Sequence, residues 1–248
     1  MGIFANPLTD LLEYEDFSRD FLKGTDPVGM TGCIDSEKVH FMSTFLGEKK
    51  VQLVVTYNEQ RAREIEEDYK LFCSQVYVIP PRDLIFFSAD LQGNAIIAER
   101  MKAFAALYQN EAKVIITTMD ALMSAAVPFE QLMSHVIKLK EGDELDLEKL
   151  KHDLTVMGYE RVGRVEEPGQ FTVHGGIADV YPLTMEVPVR IELWGDEIDT
   201  IRCFEPQSQR SMDQIESVSV FPAAEVIADD TARRRAVGMI KNELESQL

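Results

Sequence analysis

The chain has 248 residues, 45% of them hydrophobic and 27% charged, a composition typical of a globular protein with a sizeable core. Its length suits one large domain or two modest ones. No apolar run approaches the roughly 18–20 residues of a membrane helix, and the N-terminus lacks a basic, apolar signal sequence. We therefore expect a cytoplasmic protein without membrane contact.

Cys33, Cys73 and Cys203 form no C-x-x-C pair, which disfavours a zinc site or a disulfide framework.

The formal net charge of −18 disfavours a role in nucleic-acid binding. Proteins with that role neutralise phosphates with a basic groove, and counterion release supplies much of their affinity. The dense basic run Arg233–Arg235 is soon followed by acidic residues, so a solvated helix surface explains it better than a DNA-binding patch. A direct nucleic-acid clamp remains a disfavoured alternative, which salt-dependent DNA binding would test.

The stretch GMTGCIDS at residues 29–36 has the outline of a degraded phosphate-binding loop, whose working pattern is G-x-x-x-x-G-K-[ST]. Gly29 and Ser36 match this pattern. Ile34 replaces the second glycine, and Asp35 replaces the lysine that neutralises phosphate charge. Because a carboxylate repels a polyanion, we expect neither nucleotide hydrolysis nor a bound cofactor here. The alternative interpretation is an ordinary turn in which Asp35 and Ser36 cap the following helix, SEKVHFMSTFL.

The next segments alternate between strand and helix patterns. Strands are predicted at 51–56, 76–79 and 113–118, and helices at 58–72, 94–110 and 119–127. The first strand, VQLVVT, is a β-branched apolar run typical of a strand buried on both faces, and Asn58 is predicted to cap the helix after it. This alternation predicts an α/β first domain at residues 1–131, a parallel sheet with flanking helices, interpreted as a degenerate P-loop or helicase-like domain.

The second half of the chain has a different pattern. One helix is predicted at 145–158, followed by GQFTVHGGIADVYPL and PVRIELWGDEIDTIRCF, which alternate with period two around Gly-Gly and Gly-Asp breaks. Such alternation predicts antiparallel hairpins, and hence a smaller β-rich α+β domain at residues 132–222. Residues 223–248 are predicted to be a helical segment that returns toward the first domain and is truncated, with more chain expected beyond it.

The stretch GYERVGRVEEPGQFTVHGGIADVYPLTMEVPVRIELWGDEIDTIRCFEPQSQRS at 158–211 resembles the bacterial transcription-repair coupling factor (Mfd) family. The segments IPPRDLIFF, GNAIIAERMKAF and VIITTMDALM are similar to the N-terminal region of that family. That region in turn resembles the repair helicase subunit UvrB, whose intact phosphate loop takes the position of GMTGCIDS. The segment PPRDLIFFSADLQG is short where UvrB has a DNA-probing hairpin, which weakens any expectation of damage recognition.

The resemblance implies a non-catalytic, UvrB-like adaptor module that docks the repair protein UvrA and so recruits nucleotide excision repair to stalled RNA polymerase. The family's ATPase and its contacts with RNA polymerase and DNA lie beyond these residues, so we expect no catalytic residue, metal or cofactor here. The alternative from another class is a P-loop type nucleotide-using enzyme with residual ATP binding. A shift of its melting temperature with Mg-ATP would favour that enzyme.

Alternation along Val189–Trp194 divides its side chains between two faces. The apolar residues share the inner face, so Arg190, Glu192 and Trp194 share the outer one. Trp194 is the single tryptophan of the chain, and tryptophan and arginine are enriched in interface hot spots. The alternative is that alternation slips near Gly195 and that Trp194 packs into the core.

By the resemblance, the family's UvrA contacts are an arginine at Arg190, an aromatic residue at Trp194 and an arginine where this chain has His174. A neutral histidine lacks arginine's bidentate fork, and histidine titrates near neutral pH, so we expect weaker or more pH-dependent binding. An inert surface histidine is the alternative. The docking hypothesis predicts that Arg190→Ala or Trp194→Ala abolishes UvrA binding and leaves the fold intact.

Overall fold

A computed structural model describes residues 8, 14–46, 51–82, 91–124, 126–227 and 230–247. The chain divides into two compact units, residues 1–84 with 106–124 and residues 85–105 with 125–248. No helix in the described ranges is both long and apolar enough to cross a membrane. Most of the segment PPRDLIFFSADLQG, residues 83–90, lies outside the described residues, and the proposed domain limits at 131/132 and 222/223 stay predictions.

The first unit contains the predicted strands and helices with small changes of their ends. Its elements are α1 (Tyr14–Lys23), α2 (Asp35–Ser43), β1 (Gln52–Thr56), α3 (Glu59–Lys70), β2 (Val76–Ile79), β3 (Val114–Thr118) and α5 (Met119–Met123). Helix α4 (Leu91–Tyr108) crosses the division between the two units. Helix α5 is shorter than the predicted helix at 119–127.

The three strands of the first unit form a parallel sheet in the order β1–β3–β2. This arrangement confirms the predicted parallel sheet. Strand β3 is buried throughout, but Leu53 and Val55 of β1 are 59% and 41% exposed. The expectation that β1 is buried on both faces is therefore wrong: its Val54 face packs against α3, whereas no described residue covers the face of Leu53 and Val55 well enough to bury it.

Helix α3 shows why its predicted pattern was reliable. Asn58 caps it as expected, since its side-chain oxygen accepts a hydrogen bond from the Arg61 amide at 2.8 Å. Ala62, Ile65 and Tyr69 recur at helical spacing and are buried against the sheet. The Tyr69 hydroxyl also bonds to Gln52 of β1 at 3.0 Å, which ties the helix to the edge of the sheet.

The second unit is built mainly from antiparallel strands. Its elements are α6 (Phe129–Met133), β4 (Ile137–Lys140), α7 (Leu147–Val156), β5 (Glu160–Arg161), β6 (Gln170–His174), β7 (Ile177–Val180), β8 (Val189–Trp194), β9 (Glu197–Phe204), β10 (Ser211–Gln214), β11 (Ser217–Val220) and α8 (Asp230–Gln247). Six strands form one sheet in the order β10–β9–β8–β7–β6–β5, and β11 pairs with β4. Only the β5–β6 pair in the six-stranded sheet is parallel. The mixed α/β class, with one parallel and one largely antiparallel sheet, is thus confirmed.

Candidate docking face on the antiparallel sheet

Strand alternation gives the six-stranded sheet an apolar inner face and a polar outer face. The inner face joins the core of the second unit through residues that are at most 5% exposed, namely Phe171, Val173, Ala178, Val180, Val189, Ile191, Ile198 and Ile201. Two tight turns hold the central strands together, and each contains a glycine with positive φ, Gly175 at 60° and Gly195 at 67°. The side chains between these inner positions therefore project to the outer face.

Strand register arranges the outer face in two neighbouring rows. The first row runs across β6–β9 as His174, Ile177, Glu192 and Thr200. The second row, one pleat away, is Thr172, Asp179, Arg190 and Arg202. His174 and Arg190 thus lie on the same face in adjacent rows, and Trp194 follows Glu192 on that face at the end of β8. We call this surface the docking face.

Trp194 is 85% exposed, so its ring does not pack into the core. The alternative of a slipped strand is wrong for its orientation, because the register irregularity in β8–β9 falls between Glu192 and Leu193 and leaves Trp194 opposite Glu197. Ile177 is 40% exposed on the same face and was not singled out from the sequence. The alternation of GGIADV could have found it, because Ala178 and Val180 are its inward-facing neighbours.

Arg190 is held inside the protein more firmly than its position in the sequence indicates. Its Nε and one terminal nitrogen donate to the two carboxylate oxygens of Asp179, both at 2.8 Å, and its guanidinium lies 4.8 Å from the centre of the Phe204 ring. The side chains of Arg190 and Asp179 are only 21% and 9% exposed. The hydrogen bonds to Asp179, opposed by partial burial, raise the pKa of Arg190.

This ion pair bears on one prediction. Arg190→Ala would leave the carboxylate of Asp179 largely buried without its partner, so we expect the variant to lose stability, while the retention of its fold stays a prediction. Asp179 was missed in the sequence because the pair forms across a hairpin, and local spacing does not reveal it. His174 is exposed at the end of β6, opposite Ile177, and its contact with a partner stays a prediction.

The degraded loop at 29–36 lies in the first unit, and its charged residue Asp35 is paired with neighbouring basic side chains. Ile34, in an extended conformation, is the N-cap of α2, and its amide donates to the Glu37 carboxylate at 3.0 Å. Asp35 follows in the first turn, so the interpretation that Asp35 and Ser36 cap this helix is wrong. A hydrogen bond from Lys38 at 2.9 Å, helped by Arg61 at 3.6 Å, lowers the pKa of Asp35.

Within the described ranges, no three His, Cys, Asp or Glu side chains lie close enough together to hold a metal ion. The absence of a metal or cofactor site in the whole chain therefore remains an expectation.

Comparison with known proteins supports the assignment of the second unit. The sequence profile of the UvrB interaction domain matches residues 137–225, which include every strand of the docking face. The chain is 34% identical over 215 residues to the transcription-repair-coupling factor of Staphylococcus haemolyticus, covering 85% of this chain and 18% of that protein. It is 30% identical over 246 residues to the protein of that name from Staphylococcus epidermidis, and the match covers 98% of this chain and 20% of that protein. It is 31% identical over 253 residues to the protein of that name from Staphylococcus aureus, strain Mu50, and the match covers 99% of this chain and 21% of that protein.

The chain thus spans about a fifth of the length of the curated relatives it matches. The matches to them extend through both units, whereas the domain profile is confined to the second. The resemblance seen in the sequence is therefore confirmed: the chain is a module of the transcription-repair-coupling factor family that carries a UvrB interaction domain.

Proposed function

We propose that this chain is a non-catalytic adaptor that docks UvrA through the outer face of its antiparallel sheet. In a complete coupling factor, this contact brings nucleotide excision repair to a stalled RNA polymerase in the cytoplasm. Contacts with RNA polymerase and DNA belong to chain outside these residues, and the module itself uses no cofactor. The matched UvrB interaction domain and the transcription-repair-coupling factor relatives support this proposal.

The observation that carries the proposal is the exposure of Trp194. A tryptophan that is 85% exposed leaves a large apolar surface in water, and such residues mark interaction sites when they lie beside other apolar groups. Ile177 supplies that apolar neighbour in the adjacent row, and Arg190 supplies a guanidinium. Trp194 and Arg190 lie on the same face of β8, four residues apart, and tryptophan and arginine are residue types enriched in binding hot spots.

The loop at 29–36 has no part in this contact and, as we propose, binds no nucleotide. Its lysine position carries Asp35, whose charge is already balanced by Lys38 and Arg61. Its second glycine position carries Ile34, a β-branched residue in extended conformation. Both changes remove a feature with which a working loop wraps a phosphate. The first unit is therefore proposed to be a degenerate P-loop domain that serves as a scaffold.

Calorimetric titration of UvrA with the chain tests the proposal. We expect the wild type to bind and Trp194→Ala to bind at least about thirtyfold more weakly, because hot-spot truncations cost about 2 kcal/mol or more. Trp194→Ala should retain the wild-type melting temperature, since the side chain makes few internal contacts. Tyr57→Ala is the matched control, because Tyr57 is an aromatic residue 76% exposed in the first unit. Equal affinity of the Trp194 and Tyr57 variants would refute docking through this face.

A further inference from the structure

Two arginines of the docking face lie directly opposite each other. Arg190 on β8 pairs in register with Arg202 on β9, and Asp179 on β7 pairs with Arg190 on its other side. Side chains in directly opposed positions have Cβ atoms about 4.5–5.5 Å apart, and like charges placed in this way repel. The second row therefore needs an acidic group for each arginine.

Among the described residues, Arg190 has such a group and Arg202 has none. Both oxygens of Asp179 are engaged by Arg190 at 2.8 Å, and Glu192, the acid in the neighbouring row, accepts a hydrogen bond from the Thr200 hydroxyl at 3.1 Å. Across the next strand, Gln214 opposes Arg202 but donates to Glu141 at 2.8 Å.

Arg202 thus finds no acceptor in the part of the chain that the structure describes. None of the ion pairs formed among the described residues includes Arg202, and its Nε is buried with no hydrogen-bond partner. The residue as a whole is partly exposed at the docking face, so a bound protein can approach it. A bound protein cannot reach this buried Nε, so the donors open to it are the terminal nitrogens of the guanidinium.

We propose that Arg202 binds a carboxylate side chain of the docked partner, beside the contact made by Arg190. This inference rests on the proposed docking of UvrA and names the chemistry that the partner must present, an aspartate or glutamate facing β9. Charges across an interface are arranged in complementary pairs, and a guanidinium holds a carboxylate through two parallel hydrogen bonds. Asp179 already neutralises Arg190, so Arg202 is the cation of this row that remains for an acidic partner.

Titration of UvrA with Arg202 variants tests the inference. Arg202→Gln keeps much of the side-chain length but removes the charge, and we expect its affinity to fall at least about tenfold. Arg202→Lys keeps the charge without the fork, so its affinity should lie between those of the wild type and Arg202→Gln. The matched control is Arg161→Gln, which makes the same change at an exposed position on β5 and should bind within about twofold of the wild type.

Wild-type affinity of Arg202→Gln would overturn the inference, and so would an equal loss in Arg161→Gln, which would indicate a mere effect of net charge. Arg202→Gln should melt at or above the wild-type temperature, because it removes a buried donor that has no acceptor. A lower melting temperature in both Arg202 variants would assign Arg202 a structural role instead. Failure of the wild type itself to bind UvrA would refute the proposed function, a result that is distinct from all of these.

Discussion

The loop at 29–36 and the docking face use their charged residues in opposite ways. In the loop, the Asp35 side chain is 62% exposed and is paired with Lys38 one helical turn away. On the docking face, Arg190 is anchored by a largely buried carboxylate and lies opposite Arg202, which forms no ion pair among the described residues. Trp194 is exposed four residues further along the same strand. Surface pairs such as that of Asp35 contribute little, whereas an anchored arginine is held ready for a partner. This contrast supports the proposal that the second unit docks the partner.

The sharpest test of this contrast removes one carboxylate from each region. Asp179→Ala should lower the free energy of unfolding by about 2–3 kcal/mol, because it leaves the partly buried guanidinium of Arg190 without its carboxylate partner. Asp35→Ala, the matched change at an exposed pair, should leave the midpoint of urea denaturation unchanged. Equal midpoints for the two variants would show that burial does not distinguish the two ion pairs.

A gain of binding tests the role of His174. His174→Arg should strengthen UvrA binding about tenfold, which corresponds to about 1.4 kcal/mol, because arginine adds a fixed charge and a fork on the docking face. His152→Arg provides the control, since His152 is exposed on α7 away from this face. Calorimetry that finds the same affinity for both variants and the wild type would remove His174 from the site.

We expect a smaller effect on stability from the buried tyrosines, one in each unit. Burial raises the pKa of Tyr69 in the first unit and of Tyr159 in the second, where the hydroxyl donates to the Phe221 carbonyl at 2.7 Å. A raised pKa in the folded state contributes stability that is complete below the ordinary tyrosine pKa of about 10 and is lost as the pH rises through the higher folded pKa.

Tyr69→Phe and Tyr159→Phe should each cost about 1 kcal/mol near neutral pH and make alkaline unfolding less steep. Denaturation curves between about pH 8 and pH 12 measure both effects. The effect should be larger at Tyr159, since its hydroxyl is the more deeply buried of the two. A steeper alkaline loss in either variant would contradict this assignment.

The smallest expected effect is that of nucleotide. Mg-ATP should not shift the melting temperature of the wild type, because Asp35 and Ile34 occupy the positions of the lysine and the glycine. The double variant Ile34→Gly, Asp35→Lys rebuilds the full loop pattern between Gly29 and Ser36. A Mg-ATP shift in that variant alone would sharpen the interpretation of a degenerate P-loop, whereas a shift in the wild type would favour the residual ATP-binding enzyme.

Much of the fold was predictable because local patterns determine it. The run Val76–Ile79 was predicted with the bounds that the structure shows, and Asn58 caps α3 as its residue type indicates. Alternation along β8 correctly assigned Trp194 to the outer face. The exposure of β1 could not be predicted, since the same apolar run serves a strand covered on both faces or on one, and only the packing around the sheet distinguishes them.

The sequence by itself determined the elements, the alternation of their faces and the family resemblance, because each depends on residues close together in the chain or on a motif read directly. Only the tertiary structure decided which charges meet. Asp179 joins Arg190 through the register of two strands, while Arg202, opposite the same arginine, meets no acceptor among the described residues. A shift of one residue in that register would turn each side chain to the other face of the sheet, so these partnerships exist only once the strands have paired.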